Sequence, residues 1–253
     1  MSKPRTSAPA SSAPASSAGF ATFAGDAHNF GRHVAIGETE VNKPRTLLWE
    51  WLVLGVGSPL RALLRVLAEE DLGDGDAFAF LPELRFSSQG ARDGGTVERL
   101  DLAPLGALSP ARKRELAVVV GRAIALFSWL GLSDLHWENL ALGLDARERI
   151  VFAPLDVEIV FDDLALPTAT KLLPEADPEY GAVNRHAAGV RRVLPFLGKP
   201  VDVVDLCAMV DAYLGMLTLL ERHGSRIAEV FTQVPGLRDA PIRVLLRGTG
   251  DYV

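Results

Sequence analysis

An acid, Asp134, is followed five positions later by an amide, Asn139, in the polar stretch Asp134-Leu135-His136-Trp137-Glu138-Asn139. Two apolar runs, residues 123–132 and 150–159, flank it. This is the spacing of a protein-kinase catalytic loop, where the acid accepts the proton of a substrate hydroxyl and the amide holds a metal ion. The same residues also read as a polar turn between a helix and a hairpin. The rest of the chain has to decide between the two.

Phosphoryl transfer needs donors around the nucleotide phosphates, a cation beside them, magnesium ligands and a base for the acceptor. The sequence offers a candidate for each, in kinase order. Gly25 and Gly31 bound a polar turn whose backbone N–H groups can approach a phosphate. Lys43 lies on the strand that follows, where a kinase carries its phosphate-binding lysine. Asp134 takes the place of the base, and Asn139 and Asp156 take those of the metal ligands. An amide oxygen and a carboxylate are the hard donors Mg2+ prefers. Each position also has a plain structural reading: a hairpin turn, a solvated lysine, a packing histidine at His136, or two outward acids, Asp156 and Glu158, on an alternating strand. His28, His33, His186 and His223 show no zinc spacing. The joint order is what favours an ATP site.

The elements around these residues come strand-rich first. Residues 20–24 read as a strand, the alternation through Val34 and Ile36 as a second, and residues 41–43, stopped by Pro44, as a third. A helix is expected over 59–70, with Ser58 as N-cap and Leu60, Leu63, Leu64 and Leu67 on one face. Residues 78–86 read as a strand interrupted by Pro82, and 97–102 as another short strand. Ser109-Pro110 opens a long helix that delivers the chain to Asp134. Residues 140–142 and 150–152 then form a hairpin around Asp145. Residues 164–189 read as a long loop. A second strong helix covers 201–223, with Leu206, Val210, Tyr213, Leu214, Leu217 and Leu220 turned inward. A shorter helix covers 225–234. Strands first and helices second predict an α+β fold of two lobes, a small strand-rich N-lobe over about 20–103 and a helical C-lobe over about 104–253.

Composition sets the frame. The 253 residues are 48% hydrophobic and 23% charged, ordinary for a globular chain. A net charge of −6 argues against nucleic acid or an anionic membrane as general partners. No uninterrupted apolar run reaches the roughly 18–20 residues of a membrane span. The single cysteine, Cys207, sits in an apolar helical pattern, fits packing, and rules out both an internal disulfide and a thiolate zinc cage. Residues 1–19 are Ser/Ala/Pro-rich without a secretory apolar core and read as a disordered tail. A cytoplasmic protein is expected.

The motifs together resemble a known family. Gly25-Asp-Ala-His-Asn-Phe-Gly-Arg32, Asn42-Lys-Pro-Arg45, Asp134-Leu-His-Trp-Glu-Asn139, Leu155-Asp-Val-Glu158, Lys171-Leu-Leu-Pro174 and the Arg243–Tyr252 segment are similar to the N-terminal dehydration domain of class II lanthipeptide synthetases. The resemblance implies a kinase fold related to lipid kinases. It also implies ATP- and Mg2+-dependent phosphorylation of Ser and Thr in a ribosomally made precursor peptide, followed by phosphate elimination. On this resemblance Gly25, Asp26, His28 and Gly31 belong to the nucleotide-side turn, and Lys43 holds phosphate. Asp134, His136 and Asn139 form the catalytic loop, Asp156 and Glu158 lie at the metal, and Arg243 and Thr249 are the elimination pair. The family's cyclase domain, with its zinc-binding cysteines, has no counterpart here. The expectation is therefore a reduced dehydratase, with any cyclase a separate partner. A kinase acting on another peptide, protein or metabolite without elimination, and a non-catalytic scaffold of the same fold, are the alternatives.

Overall fold

The computed structural model describes residues 20–28, 32–87, 94–157, 160–161, 170–174 and 188–242, with 20–28 and Arg32 as backbone only. The expected tail, Gly31, Glu158, Arg243 and Thr249 lie outside these residues. The described elements form an α+β fold.

A four-stranded antiparallel sheet comes first, in the order β1 (Phe20–His28), β2 (Arg32–Gly37), β3 (Glu40–Lys43), β4 (Gly95–Glu98). The pairs Ala24↔Val34 and His28↔Arg32 set positions 24 to 28 of β1 against 34 to 32 of β2. Gly25 and Asp26 therefore sit in an irregular stretch of strand, where a glycine relieves the crowding of extra residues. Lys43 pairs with Gly95 at the sheet end. The chain passes so close there that a side chain at Gly94, with φ 112°, would meet the Lys43 carbonyl at 2.3 Å.

Helix α1 (Leu48–Leu54) follows β3 directly, and every residue in it except Trp51 is buried. Helix α2 (Pro59–Leu72) starts on Ser58, whose hydroxyl accepts from Arg61 N–H, and ends at Gly73 in the left-handed region, as its sequence predicts. Residues 78–86 do not form the expected strand. They run as turns with isolated bridges at Leu84 and Phe86, and Pro82 has no N–H to give a ladder.

Helix α3 (Pro110–Trp129) is capped by Ser109 and enters the core with Leu116, Val120, Ile124 and Phe127. The hairpin of β5 (Leu140–Leu144) and β6 (Ile150–Pro154) pairs from Leu140↔Pro154 to Leu144↔Ile150. Its turn is closed by Asp145, which accepts from the N–H groups of Arg147 and Arg149. A short helix α4 (Leu194–Leu197) leads to α5 (Val203–Arg222) and α6 (Gly224–Gln233).

Helix α5 lies along α3 but is rolled relative to the face expected from its leucines. Leu206, Val210 and Leu214 are 48%, 46% and 52% exposed, and Cys207 is exposed as well. The inward line is Asp205, Met209, Tyr213, Met216 and Leu220. Asp205 is buried and accepts from Arg114 Nε of α3 at 3.0 Å. A buried carboxylate must face its cation, and this pair sets the roll of the helix. Among the described residues α5 is one helix long and apolar enough, by length and composition, to cross a membrane. The uninterrupted-run criterion missed it because Asp205 and Asp211 fall inside it.

The two helices touch at Gly121, where an added Cβ would lie 2.1 Å from the Met209 carbonyl oxygen. Gly215 on α5 has nothing within 4 Å of the same construction. Gly121→Ala should cost about 1–3 kcal/mol by overpacking, whereas Gly215→Ala should gain about 0.5–1 kcal/mol through helix propensity. Urea unfolding of the two variants checks this opposition of sign.

Candidate functional site

The site is built from the end of β3 and the start of α1. Pro44 ends the strand, and α1 begins within five residues of Lys43, which brings Glu50 back over it. Lys43 Nζ donates to Glu50 Oε1 at 2.7 Å and Oε2 at 2.8 Å, and to the Leu155 carbonyl at 2.6 Å. Arg45 Nη2 donates to Glu50 Oε2 at 2.8 Å and also to Asp156 Oδ1. Lys43, Arg45 and Glu50 are all buried. Burial alone raises the Glu50 carboxyl. The charges of Lys43 and then Arg45, with their hydrogen bonds, outweigh it and hold the group below its usual range.

The second half of the site is the loop after α3. Asp134 adopts a left-handed backbone, φ 63°. Asn139 Nδ2 donates to the Asp134 carbonyl at 2.9 Å and, more weakly, to its carboxylate Oδ2 at 3.4 Å. The Asn139 carbonyl accepts from Leu155 N–H at 2.8 Å, one residue before Asp156. The pairing of β5 with β6 dictates this contact, because Leu140↔Pro154 is the last rung of the hairpin.

Lys43, Asn139 and Asp156 are thus brought together through Leu155, which binds the lysine by its carbonyl and Asn139 by its N–H. Asp134 joins them through the Asn139 amide. His136 instead faces its own loop: its Nδ1 accepts from Glu138 N–H at 3.3 Å and caps the turn at Trp137–Asn139. For Gly25, Asp26 and His28 only the strand backbone is described.

Three residues that the motif reading left without roles complete the geometry. Glu50 is the partner of Lys43. A single acid in the apolar run Leu47–Leu54 was the signal, since a carboxylate inside a core needs a cation. Arg45 carries the connection from Glu50 to Asp156. Lys171, also left-handed at φ 60°, gives Nζ to Asp134 Oδ1 at 2.9 Å. Two of the four non-glycine residues with positive φ among those described are therefore ion-paired to each other. Such backbone conformations concentrate where function over-determines the chain.

The donor set suits Mg2+ in kind. Asn139 offers an amide oxygen, and Asp156 offers a carboxylate that is 30% exposed and has one oxygen engaged by Arg45. Among the described residues no three His, Cys, Asp or Glu side chains cluster as a metal cage. A cavity of about 740 Å³ lies elsewhere, between α2, residues 75–84, residues 98–101 and the Asp145 turn. None of Lys43, Asp134, Asn139 or Asp156 lines it. Several of its charges are paired with one another, as in Arg65–Glu83 and Arg149–Asp145. The polar cluster, not that cavity, is the candidate site. Comparison with protein-family models and with curated proteins found no match.

Glu50→Ala leaves two buried cations without their carboxylate and should cost about 3–5 kcal/mol. The native Glu50 carboxyl titrates below its unfolded value of about 4.3. Its contribution is therefore complete above that pH and is lost as pH falls through the lower folded value. Denaturant unfolding from pH 6 to pH 3 should show a shallower acid loss in Glu50→Ala than in the native protein.

Proposed function

We propose that the protein transfers the γ-phosphoryl group of ATP to a serine or threonine hydroxyl of a ribosomally made peptide. The observation that carries the reading is the convergence of Lys43, Asn139 and Asp156 on Leu155, with Asp134 hydrogen-bonded to Asn139. The order of these residues along the chain is that of a phosphotransferase, and their contacts supply the parts such a reaction needs. On the same reading the antiparallel sheet forms the smaller lobe and the later helices the larger lobe of a kinase-like fold.

Lys43 has three N–H donors, two spent on Glu50 and one on Leu155. Glu50 keeps the ammonium aimed, and the donor on the Leu155 side is the one a phosphate oxygen takes over. The Asn139 amide oxygen and the Asp156 carboxylate would hold Mg2+, which would supply neutralisation of the phosphate charge. The acceptor oxygen attacks the γ-phosphorus as the bond to the bridging β–γ oxygen breaks. The hydroxyl proton passes to Asp134, and ADP leaves. Lys171 holds the Asp134 carboxylate in position.

The resemblance of Arg243 and Thr249 to an elimination pair extends the proposal to a second stage. A basic group takes the α-proton, the C–H electron pair forms the Cα–Cβ double bond, and the Cβ–O bond breaks as phosphate departs, leaving the dehydrated residue. A guanidinium stabilises the charge on that leaving group.

Incubation with ATP, Mg2+ and a Ser/Thr peptide should give products heavier by a phosphate, or lighter by a water where elimination follows; an unchanged peptide mass contradicts the proposal. Asp134→Asn should lower turnover by about two to four orders of magnitude, with ATP affinity changed by less than about threefold. Turnover at the native rate would remove Asp134 from the role of base.

A further inference from the structure

Arg45 touches the acid that the proposed function gives to the metal. Its Nη2 donates to Asp156 Oδ1 and, at 2.8 Å, to Glu50 Oε2, and its Nη1 donates to the Thr46 carbonyl at 3.1 Å. The Arg45 side chain is 8% exposed, against 30% for that of Asp156. The contact spans 111 positions of sequence, and the order of the motifs alone assigns Arg45 no role.

The guanidinium is held where it is. The nitrogen that meets Asp156 also meets Glu50, so swinging it away would break a buried ion pair as well, which is strongly unfavourable. The backbone is confined too. Gly94 comes so close that an added Cβ would lie 2.9 Å from the Pro44 Cα and 3.2 Å from the Arg45 nitrogen. One oxygen of Asp156 therefore stays committed to Arg45. Oδ2 is the oxygen that a metal would take.

We infer that Arg45 makes Asp156 a one-oxygen ligand and thereby selects Mg2+ over Ca2+ at this site. The inference rests on the proposed placing of the metal at Asp156 and is independent of the acceptor. Mg2+ is small and demands near-octahedral angles, which the narrow bite of a chelating carboxylate does not fit. Ca2+ is larger, gathers roughly six to eight oxygens in flexible geometry, and accepts both oxygens of one carboxylate. A guanidinium on Oδ1 closes the two-oxygen mode and leaves the one-oxygen mode open. Its positive charge acts alike on two ions of equal charge. The charge therefore weakens both, and only the lost second oxygen changes the ratio between them. Arg45 is in this sense a positioning residue, since it acts through Asp156.

The test is Mn2+ binding by the full chain without nucleotide, read from the electron paramagnetic resonance of the free ion, with Mg2+ and Ca2+ as competitors. Mn2+ shares the oxygen ligands and octahedral geometry of Mg2+. Asp156→Asn should weaken Mn2+ binding at least about tenfold, which assigns the ion to this site. In the native protein Mg2+ should displace that ion at about one-tenth of the concentration that Ca2+ needs, the scale of one contact to a charged group. Arg45→Gln, which keeps an amide donor for Glu50, should strengthen Ca2+ more than Mg2+ and bring the two within about twofold. Arg45→Met, which keeps the apolar stem, should narrow the ratio in the same way; circular dichroism reports folding of both variants. Mn2+ binding that Asp156→Asn leaves unchanged overturns the inference, as does a native protein that Ca2+ clears of Mn2+ as readily as Mg2+ does. The native ratio persisting in either folded Arg45 variant overturns it as well. Because neither nucleotide nor peptide is present, a failed phosphorylation assay contradicts the proposed function and leaves this result standing.

Discussion

The arrangement depends on one buried carboxylate. Glu50 lies inside an apolar helix, 2% exposed, and is held by Lys43 and Arg45. Removing an ion from water costs several kcal/mol, and only close, hydrogen-bonded cations offset it. The carboxylate therefore fixes where the ends of both side chains must be. Lys43 in turn reaches Leu155, and Arg45 reaches Asp156, across 112 and 111 positions of sequence. A local requirement, a charge that cannot stay alone in a core, becomes the tie between the sheet and the hairpin that follows the Asp134–Asn139 loop. Replacing such a triad by an apolar cluster of similar volume is often neutral or even stabilising. Its presence is better explained by the positions it enforces.

A second constraint acts on the other side of the site. Asp134 and Lys171 both hold left-handed backbones, at a cost of about 1–3 kcal/mol each, and their side chains meet. Neighbouring backbone bonds keep them there: Leu135 to Thr170, and Gly189 to Lys171. The same bonds carry Arg191 and Arg192 to Trp137. Asp134, Lys171 and the Gly189–Arg192 turn are thus tied together by hydrogen bonds. The two halves of the candidate site meet through Asn139, which touches Asp134 with its amide and Leu155 with its carbonyl.

Much of the local structure was legible because its causes are local. Ser58 and Ser109 cap the helices they precede, and Asp145 closes the hairpin turn, since each acts within a few residues of itself. The line Lys43, Asp134, Asn139, Asp156 was legible as spacing. Helix α1 was not, because a helix apolar on all sides shows no periodicity. The roll of α5 depends on Arg114, 91 positions away from Asp205, and the leucine pattern does not encode it. The Lys171–Asp134 pair spans 37 positions and is likewise set by the folded chain. Gly25 looked like one edge of a turn, but the extra residues of β1 are taken up within the strand.

The central claim is that the Glu50-held lysine and the Asn139–Asp156 pair act together on one Mg2+-bound nucleotide. Calorimetric titration of ATP into the protein, with and without Mg2+, measures this directly. The account predicts saturable binding that requires Mg2+ and is weakened at least about tenfold, the scale of one lost charge-assisted contact, by both Lys43→Met and Asp156→Asn. Binding that is absent in the native protein, or indifferent to Mg2+ and to both substitutions, would contradict it.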